Sequence, residues 1–372
     1  MVATKRKKPV RPFPRRRRAV VRRAQAEKVD ALVVTRPEDV GYLCGFTGGD
    51  SYLVVGGAWA CLITDGRYAE QAQRECGDVE FRVRSGALPA ALGEVLKGRR
   101  VRRVGIQAEH VTVQLHKTLS ERLAPKRIKP LTGLTARLRE VKDPAEVRVI
   151  RRSIGVAEKA FRGLLAMGAR QWVGLTERDL AGELEYRMRR GGADGPAFET
   201  IVAAGAHGSL PHYRPGATRI KAGSPVLIDW GAKVGGYCSD LTRVVFLGRI
   251  PPKLGTIHDV VRRAQAAGIA AARVGVACKT VDAAARKVIV ESGYGERFVH
   301  SLGHGVGRQI HESPGLARTS KLRMKAGMVV TIEPGIYLPG IGGVRIEDDV
   351  LITRDGPRRL TSLPTGADAM VL

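Results

Sequence analysis

Four carboxylates sit inside apolar runs that have the look of paired strands. In the stretch LIDWGAKVGGYCSDLTR, Asp229 ends one run and Asp240 opens the next. In TIEPGIYLPGIGGVRIEDD, Glu333 and Glu347 do the same. A hairpin turning between Val234 and Gly235 would place Asp229 directly opposite Asp240. A turn centred on Gly340 would place Glu333 opposite Glu347. Directly opposed residues have Cβ atoms about 5 Å apart, where like charges repel. Apolar flanks such as VLID and VVTIE do not suit a solvated strand face. Two such hairpins in one chain therefore call for a cation between the acids, and the usual cation is a metal.

His304 lies in SLGHGVG, with glycines on both sides that permit close backbone approach. Four carboxylates and one imidazole suit manganese, iron, cobalt or zinc better than calcium or magnesium. Five ligands are too many for one catalytic zinc. Divided between two ions, they form a centre that activates water and polarises a carbonyl. His212 in SLPHYRPG and His311 in IHESP are loop histidines placed to donate to a tetrahedral intermediate. His300 is a candidate for supporting His304, and Cys238 packs near Asp240 without ligating. His110, His116, His207 and His258 read as surface histidines. No G-x-S-x-G elbow, P-loop or dinucleotide fingerprint is present.

Around these segments the chain alternates helix and strand. Helix is expected over 22–28 and 67–76, and strand over 31–35, 51–55, 60–64 and 104–107. The run Asp143-Pro144-Ala145-Glu146 has a cap acid, Pro at the first helical position and Glu at the third, so a long helix should start there. Thr176 caps a second helix reaching about 190. Strands are expected at 198–204, 225–231 and 236–247, then two helices at 252–274 and 280–292, then strands at 328–337 and 343–353. This succession of helix pair, strands, helix pair, strands suggests an internal pseudo-duplication. The expected domains are a basic flexible arm at 1–18, an α/β domain at 19–141 and a catalytic α+β domain at 142–372.

The net charge is +27, of which residues 1–23 supply eleven cations and no acid. Such a field attracts polyanions, but no nucleic-acid-reading module accompanies it. It reads as a solubilising tail, with nucleic-acid contact through the arm as the alternative. The Pro-rich RPFPRRRR run makes a poor helix on this reading, and removing 1–18 should leave turnover intact. Five scattered cysteines favour a reducing, cytoplasmic setting. No apolar run is long enough to span a membrane.

The order Asp, Asp, His, Glu, Glu in these motifs resembles the pita-bread metallopeptidase family of methionine aminopeptidase, aminopeptidase P and prolidase. ALVVTRPEDVGYLCGFTGG resembles the creatinase-type N-terminal domain of its Xaa-Pro members. The resemblance implies a pita-bread catalytic domain after a creatinase-like one. It implies that Asp229 binds one metal, His304 and Glu333 the other, and that Asp240 and Glu347 bridge. Glu333 would accept a proton from the bridging water. His212 and His311 would contact substrate, and Arg345 would support the site. It further implies two divalent ions, manganese first with cobalt, zinc or iron as substitutes, a homodimer, and a proline-containing peptide or dipeptide as substrate. The alternatives are a metal-dependent small-molecule hydrolase or lyase on the same fold, and a non-enzymatic nucleic-acid-binding protein.

Overall fold

The computed structural model describes residues 12–372, which divide after Leu138 into two compact units. In the first unit, a six-stranded mixed sheet runs in the order Glu80–Arg84, Ala60–Asp65, Tyr52–Gly56, Ala31–Val34, Arg103–Gln107, Arg127–Leu131. Alternate residues of the central strand serve opposite faces: Leu32 and Val34 join one apolar cluster, Ala31 and Val33 the other. Both faces are covered, so the strand reads as an unbroken apolar run.

The helix expected at 22–28 is longer and starts earlier, at Phe13–Ala26. Residues 13–18 of the expected arm are therefore helical, and 1–11 lie outside the described residues. Pro12 is the N-cap and Pro14 lies in the first turn, where proline removes no intrahelical bond. That is why the Pro-Arg run, expected to resist helix, starts one. Arg16 is buried, lies 4.1 Å from the Tyr42 ring centroid and donates to Tyr42 O, while Arg17 donates to Leu43 O and pairs with Asp78. Removing the chain through Arg18 is thus expected to lower the melting temperature by at least about 5 °C, measured by calorimetry.

The second unit holds two helix pairs and the sheets between them. Pro144–Leu165 begins with the full capping box of Asp143 and Glu146, and Glu177–Arg190 with that of Thr176 and Asp179. This pair packs on a sheet ordered Leu241–Phe246, Pro225–Trp230, Ile201–Ala204. Val226, Ile228 and Trp230 point at the helices, with Trp230 stacked on Phe161 at 4.2 Å between ring centroids. Leu227 points the other way, into the core shared with Pro252–Ala271 and Cys278–Glu291, and alternation sends Asp229 to that same side. A five-stranded antiparallel sheet, ordered Glu312–Leu316, Gly303–Gly305, Val329–Ile332, Asp348–Thr353, Gly356–Arg359, completes that core.

The second hairpin has the expected register. Ile332 pairs with Asp348 and Gly335 with Arg345, and the turn centres on Gly340. Glu333 and Glu347 fall at matching positions between those pairs. The first hairpin departs from expectation by two residues. Val234 pairs with Tyr237 around Gly235-Gly236, and Asp229 faces Thr242, not Asp240. The two central positions have φ of +55° and +74°, which glycine takes freely and a β-branched valine does not. A shift of two preserves side-chain parity, so Asp240 keeps its face and becomes a diagonal neighbour.

Candidate metal centre

Three of the five expected ligands stand where a strand is interrupted. Glu333 follows Val329–Ile332, Glu347 lies between Gly342–Arg345 and Asp348–Thr353, and Asp240 between Tyr237–Cys238 and Leu241–Phe246. Long strands drawn across these points by the sequence pattern are broken at the acids, where the backbone bends to converge them. The single bridge Thr242–Glu347 links the two sheets at that place, with Glu347 N donating to Thr242 O.

One ligand atom each from Asp240, His304 and Glu347 lies within 4.8 Å of the others. His304 Nε2 is 3.6 Å from Asp240 Oδ2 and 3.3 Å from Glu333 Oε1. Asp229, Asp240, Glu333 and Glu347 line one cavity of about 580 Å³ with His304. The glycines beside His304 are required: a Cβ on Gly303 would stand 2.1 Å from Thr331 O, and one on Gly305 2.4 Å from Ser313 O. His304 Nδ1 faces Gly305 O at 3.2 Å. A carbonyl only accepts, so Nδ1 carries the proton of the neutral ring and the Nε2 lone pair faces the acids.

The donor set fits a cation. Asp229 Oδ1, Glu347 Oε1 and Asp349 Oδ1 are buried and lack a hydrogen-bond partner, an arrangement that costs free energy unless a positive charge compensates it. Burial and the charges of Glu347, Asp229 and Glu333 hold the Asp240 carboxyl well above the usual range. Glu347 is pushed up by burial and by Glu333 and Asp229. Asp229 is raised chiefly by burial, against the pull of Arg345. Glu333 is driven to about 2, because the hydrogen bond and charge of His304 outweigh its burial.

Arg345 lines the same cavity and is bonded into the cluster. Its Nη2 donates to Asp229 Oδ2 at 2.5 Å, its Nε to Thr242 Oγ1, and its Nη1 to the Tyr337 hydroxyl. Thr242 Oγ1 donates in turn to Glu347 Oε2 at 2.6 Å. The Tyr337 hydroxyl is also 2.8 Å from His300 Nε2. Asp349 Oδ2 accepts from Asp240 N. Thr242, Tyr337 and Asp349 were not singled out from the sequence. Strand parity relative to Asp240, Glu333 and Glu347 is the signal that would have found them.

His212 and His311 both line the cavity. The His311 ring meets His304 edge-on, with centroids 4.4 Å apart. Next to it, Glu312 is buried against Arg139 and Lys142 and accepts from Gln309 N. Those two cations outweigh its burial and lower its pKa. Two histidines read as surface groups are otherwise employed. His258 is buried in the core, and burial with Arg262 and Arg243 pushes it down to about 4. His207 is bonded to Glu177. Cys238 is buried, and its backbone N–H donates to Gly307 O.

A buried cluster of carboxylates around one imidazole, set on broken strands between two helix pairs, has the donor chemistry of a divalent-metal site. Residues 148–354 match metallopeptidase family M24, and residues 16–141 match the creatinase/prolidase N-terminal domain. The chain belongs to the M24 family, with a creatinase-type N-terminal domain and the pita-bread catalytic fold. It is 36% identical over 341 residues to a Xaa-Pro dipeptidase of Pyrococcus furiosus, covering 90% of this chain and 93% of that one. Among solved structures, it resembles a Xaa-Pro dipeptidase from Bacillus anthracis with a TM-score of 0.92 and 33% identity, over 97% of this chain and all of the other. An X-Pro aminopeptidase from Thermotoga maritima matches with a TM-score of 0.87 and 34% identity, over 94% of this chain and 100% of its own. Among the described residues, no helix is long and apolar enough to cross a membrane.

Proposed function

We propose that this chain is a metal-dependent exopeptidase that cleaves the Xaa-Pro bond of dipeptides and of peptide N-termini. The observation that carries the reading is the set of orphaned, buried carboxylate oxygens of Asp229 and Glu347 beside Asp240, His304 and Glu333. The names of the relatives support the substrate class. In this reading Asp229, Asp240, His304, Glu333 and Glu347 hold two divalent ions; imidazole with hard oxygens admits manganese, iron, cobalt or zinc, and the family resemblance favours manganese. When bound, such a pair lowers the pKa of water and polarises a carbonyl.

The chain's own groups supply the rest. Glu333, ionised, takes up the proton released by the attacking water. His212 and His311 face the cavity and donate to the oxyanion that develops on the scissile carbonyl. Arg345 holds Asp229 in place and offsets the excess of negative charge. The buried cysteines form no disulfide, which supports a reducing compartment that we take to be the cytoplasm, and the family resemblance supports a homodimer.

The test is hydrolysis of Xaa-Pro and Xaa-Pro-Xaa peptides by protein loaded with manganese, beside matched peptides lacking proline. Cleavage confined to the proline-containing peptides is expected, and the ratio between the two lengths assigns dipeptidase or aminopeptidase. Absence of turnover on every proline-containing peptide would sink the reading.

A further inference from the structure

Twenty residues, 205–224, connect the strand Ile201–Ala204 to Pro225–Trp230, and they carry His212, Tyr213 and Arg214 to the cavity. A connection of that length with little regular structure needs a specific reason to be ordered. Its first part rests on the second hairpin: a Cβ on Gly343 would stand 2.1 Å from Gly208 O. The part that carries His212 gathers several of its bonds on one buried carboxylate.

Glu177 is the first residue of the helix Glu177–Arg190, and its side chain is 0% exposed. Its Oε1 accepts from Ala204 N at 2.9 Å and from His207 Nδ1 at 2.8 Å. Its Oε2 accepts from the Tyr213 hydroxyl at 2.7 Å and from Gly216 N at 3.2 Å. Four donors satisfy a carboxylate, and all four come from the end of the strand or from the loop. The positive end of the helix favours the negative charge there. The same helix end grips the loop backbone through Glu177 N to Thr218 O and Arg178 N to Gly216 O. Tyr213 is further fixed by stacking on His207, with centroids 4.4 Å apart and an interplanar angle of 25°.

We propose that Glu177 is the positioning residue of the substrate loop: its buried carboxylate, through His207, Tyr213 and Gly216, sets where His212 and Arg214 meet the peptide. Among the described residues Glu177 bonds no side chain of the candidate metal centre and lies outside the cavity lining, so it reaches the site through the loop and the end of Ile201–Ala204. This role rests on the peptidase reading, while the loop's dependence on Glu177 is measurable without turnover.

Two readouts on metal-loaded protein test it. In Glu177→Gln, one acceptor oxygen becomes an N–H₂ group that faces donors. Amide hydrogen exchange across 210–218 is expected to quicken at least about tenfold, with the rest of the second unit unchanged. Bound metal should stay at the wild-type level, and kcat on an Xaa-Pro peptide should fall about 100-fold with little change in KM, as misplacement of a catalytic group predicts. Should Glu177→Gln fail to fold, the His207 pair decides. His207→Asn keeps an N–H at the Nδ1 position and should remain within about threefold of wild type. His207→Phe keeps the stacked ring without the bond and should show the exchange and kcat defects. Unchanged exchange over 210–218 in Glu177→Gln and His207→Phe overturns the proposal, as does exchange quickened throughout the unit with loss of metal. If the wild type cleaves no proline peptide, the peptidase reading falls and the exchange result alone decides the role of Glu177.

Discussion

Asp240→Ala is expected to cost at least about a thousandfold in turnover and to lower bound metal, measured by mass spectrometry on purified protein, while the fold survives. Asp240 is only 4% exposed, and its position is set by its own backbone, whose N–H donates to Asp349. Its removal therefore subtracts a ligand atom without unpinning the segment. The stability outcome separates this from an ordinary core lesion. Without metal, burial and then the charges of Glu347, Asp229 and Glu333 disfavour the ionised Asp240 carboxyl, so deleting it removes that cost. Metal-free Asp240→Ala should melt no lower than metal-free wild type at neutral pH. Full activity with full metal content would refute the assignment of Asp240 to the centre.

Chelation should make stability fall as pH rises from about 6.5 to 8, and should leave the metal-loaded protein nearly flat over that interval. Asp240 and Glu347 are held well above the carboxylate range, Asp229 is raised, and burial lifts Asp349 to about 8. A folded state with raised acid pKa values binds more protons than the unfolded chain, so stability drops with rising pH until those groups ionise. His304, raised because Glu333 outweighs its burial, acts in the same direction. His258, lowered to about 4 by burial, acts oppositely, since its contribution is lost as pH falls from 6.5 to 4. Above about 7 it is largely neutral in both states, so the upper part of that window reports the raised acids together with His304. Each unit of displaced titration is worth about 1.4 kcal/mol per group. Binding a divalent ion releases these protons, so the gap in melting temperature between loaded and chelated protein should widen across the window. A constant gap would count against the buried acids as the metal site.

The features legible in the sequence were those written locally. Asp143 and Thr176 announce their helices because a cap and its partner lie three residues apart. The Pro339-Gly340 turn fixes its hairpin register because the turn residues and both strands are contiguous. Where two local rules competed, the reading slipped. Val234-Gly235-Gly236 offered two turn centres, and the positive φ at both glycines decided between them. At Pro12 and Pro14, composition suggested an arm, but proline in a first turn is compatible with helix. The supports of the site were hidden for a different reason. Glu177 reaches His207, 30 residues away, and Glu312 reaches Lys142, 170 residues away. Such pairings leave no periodicity in a single sequence.

Trp230 follows Asp229 directly and stands stacked on Phe161, with its indole N–H donated to Ala157 O. Of the chain's three tryptophans, it and Trp172 are fully buried in the second unit, whereas Trp59 belongs to the first. The strand that ends in Asp229 and Trp230 thus carries its own optical probe. Replacing Trp59 with Phe leaves an emission spectrum that belongs to the second unit alone, with one of its two sources a single peptide bond from Asp229.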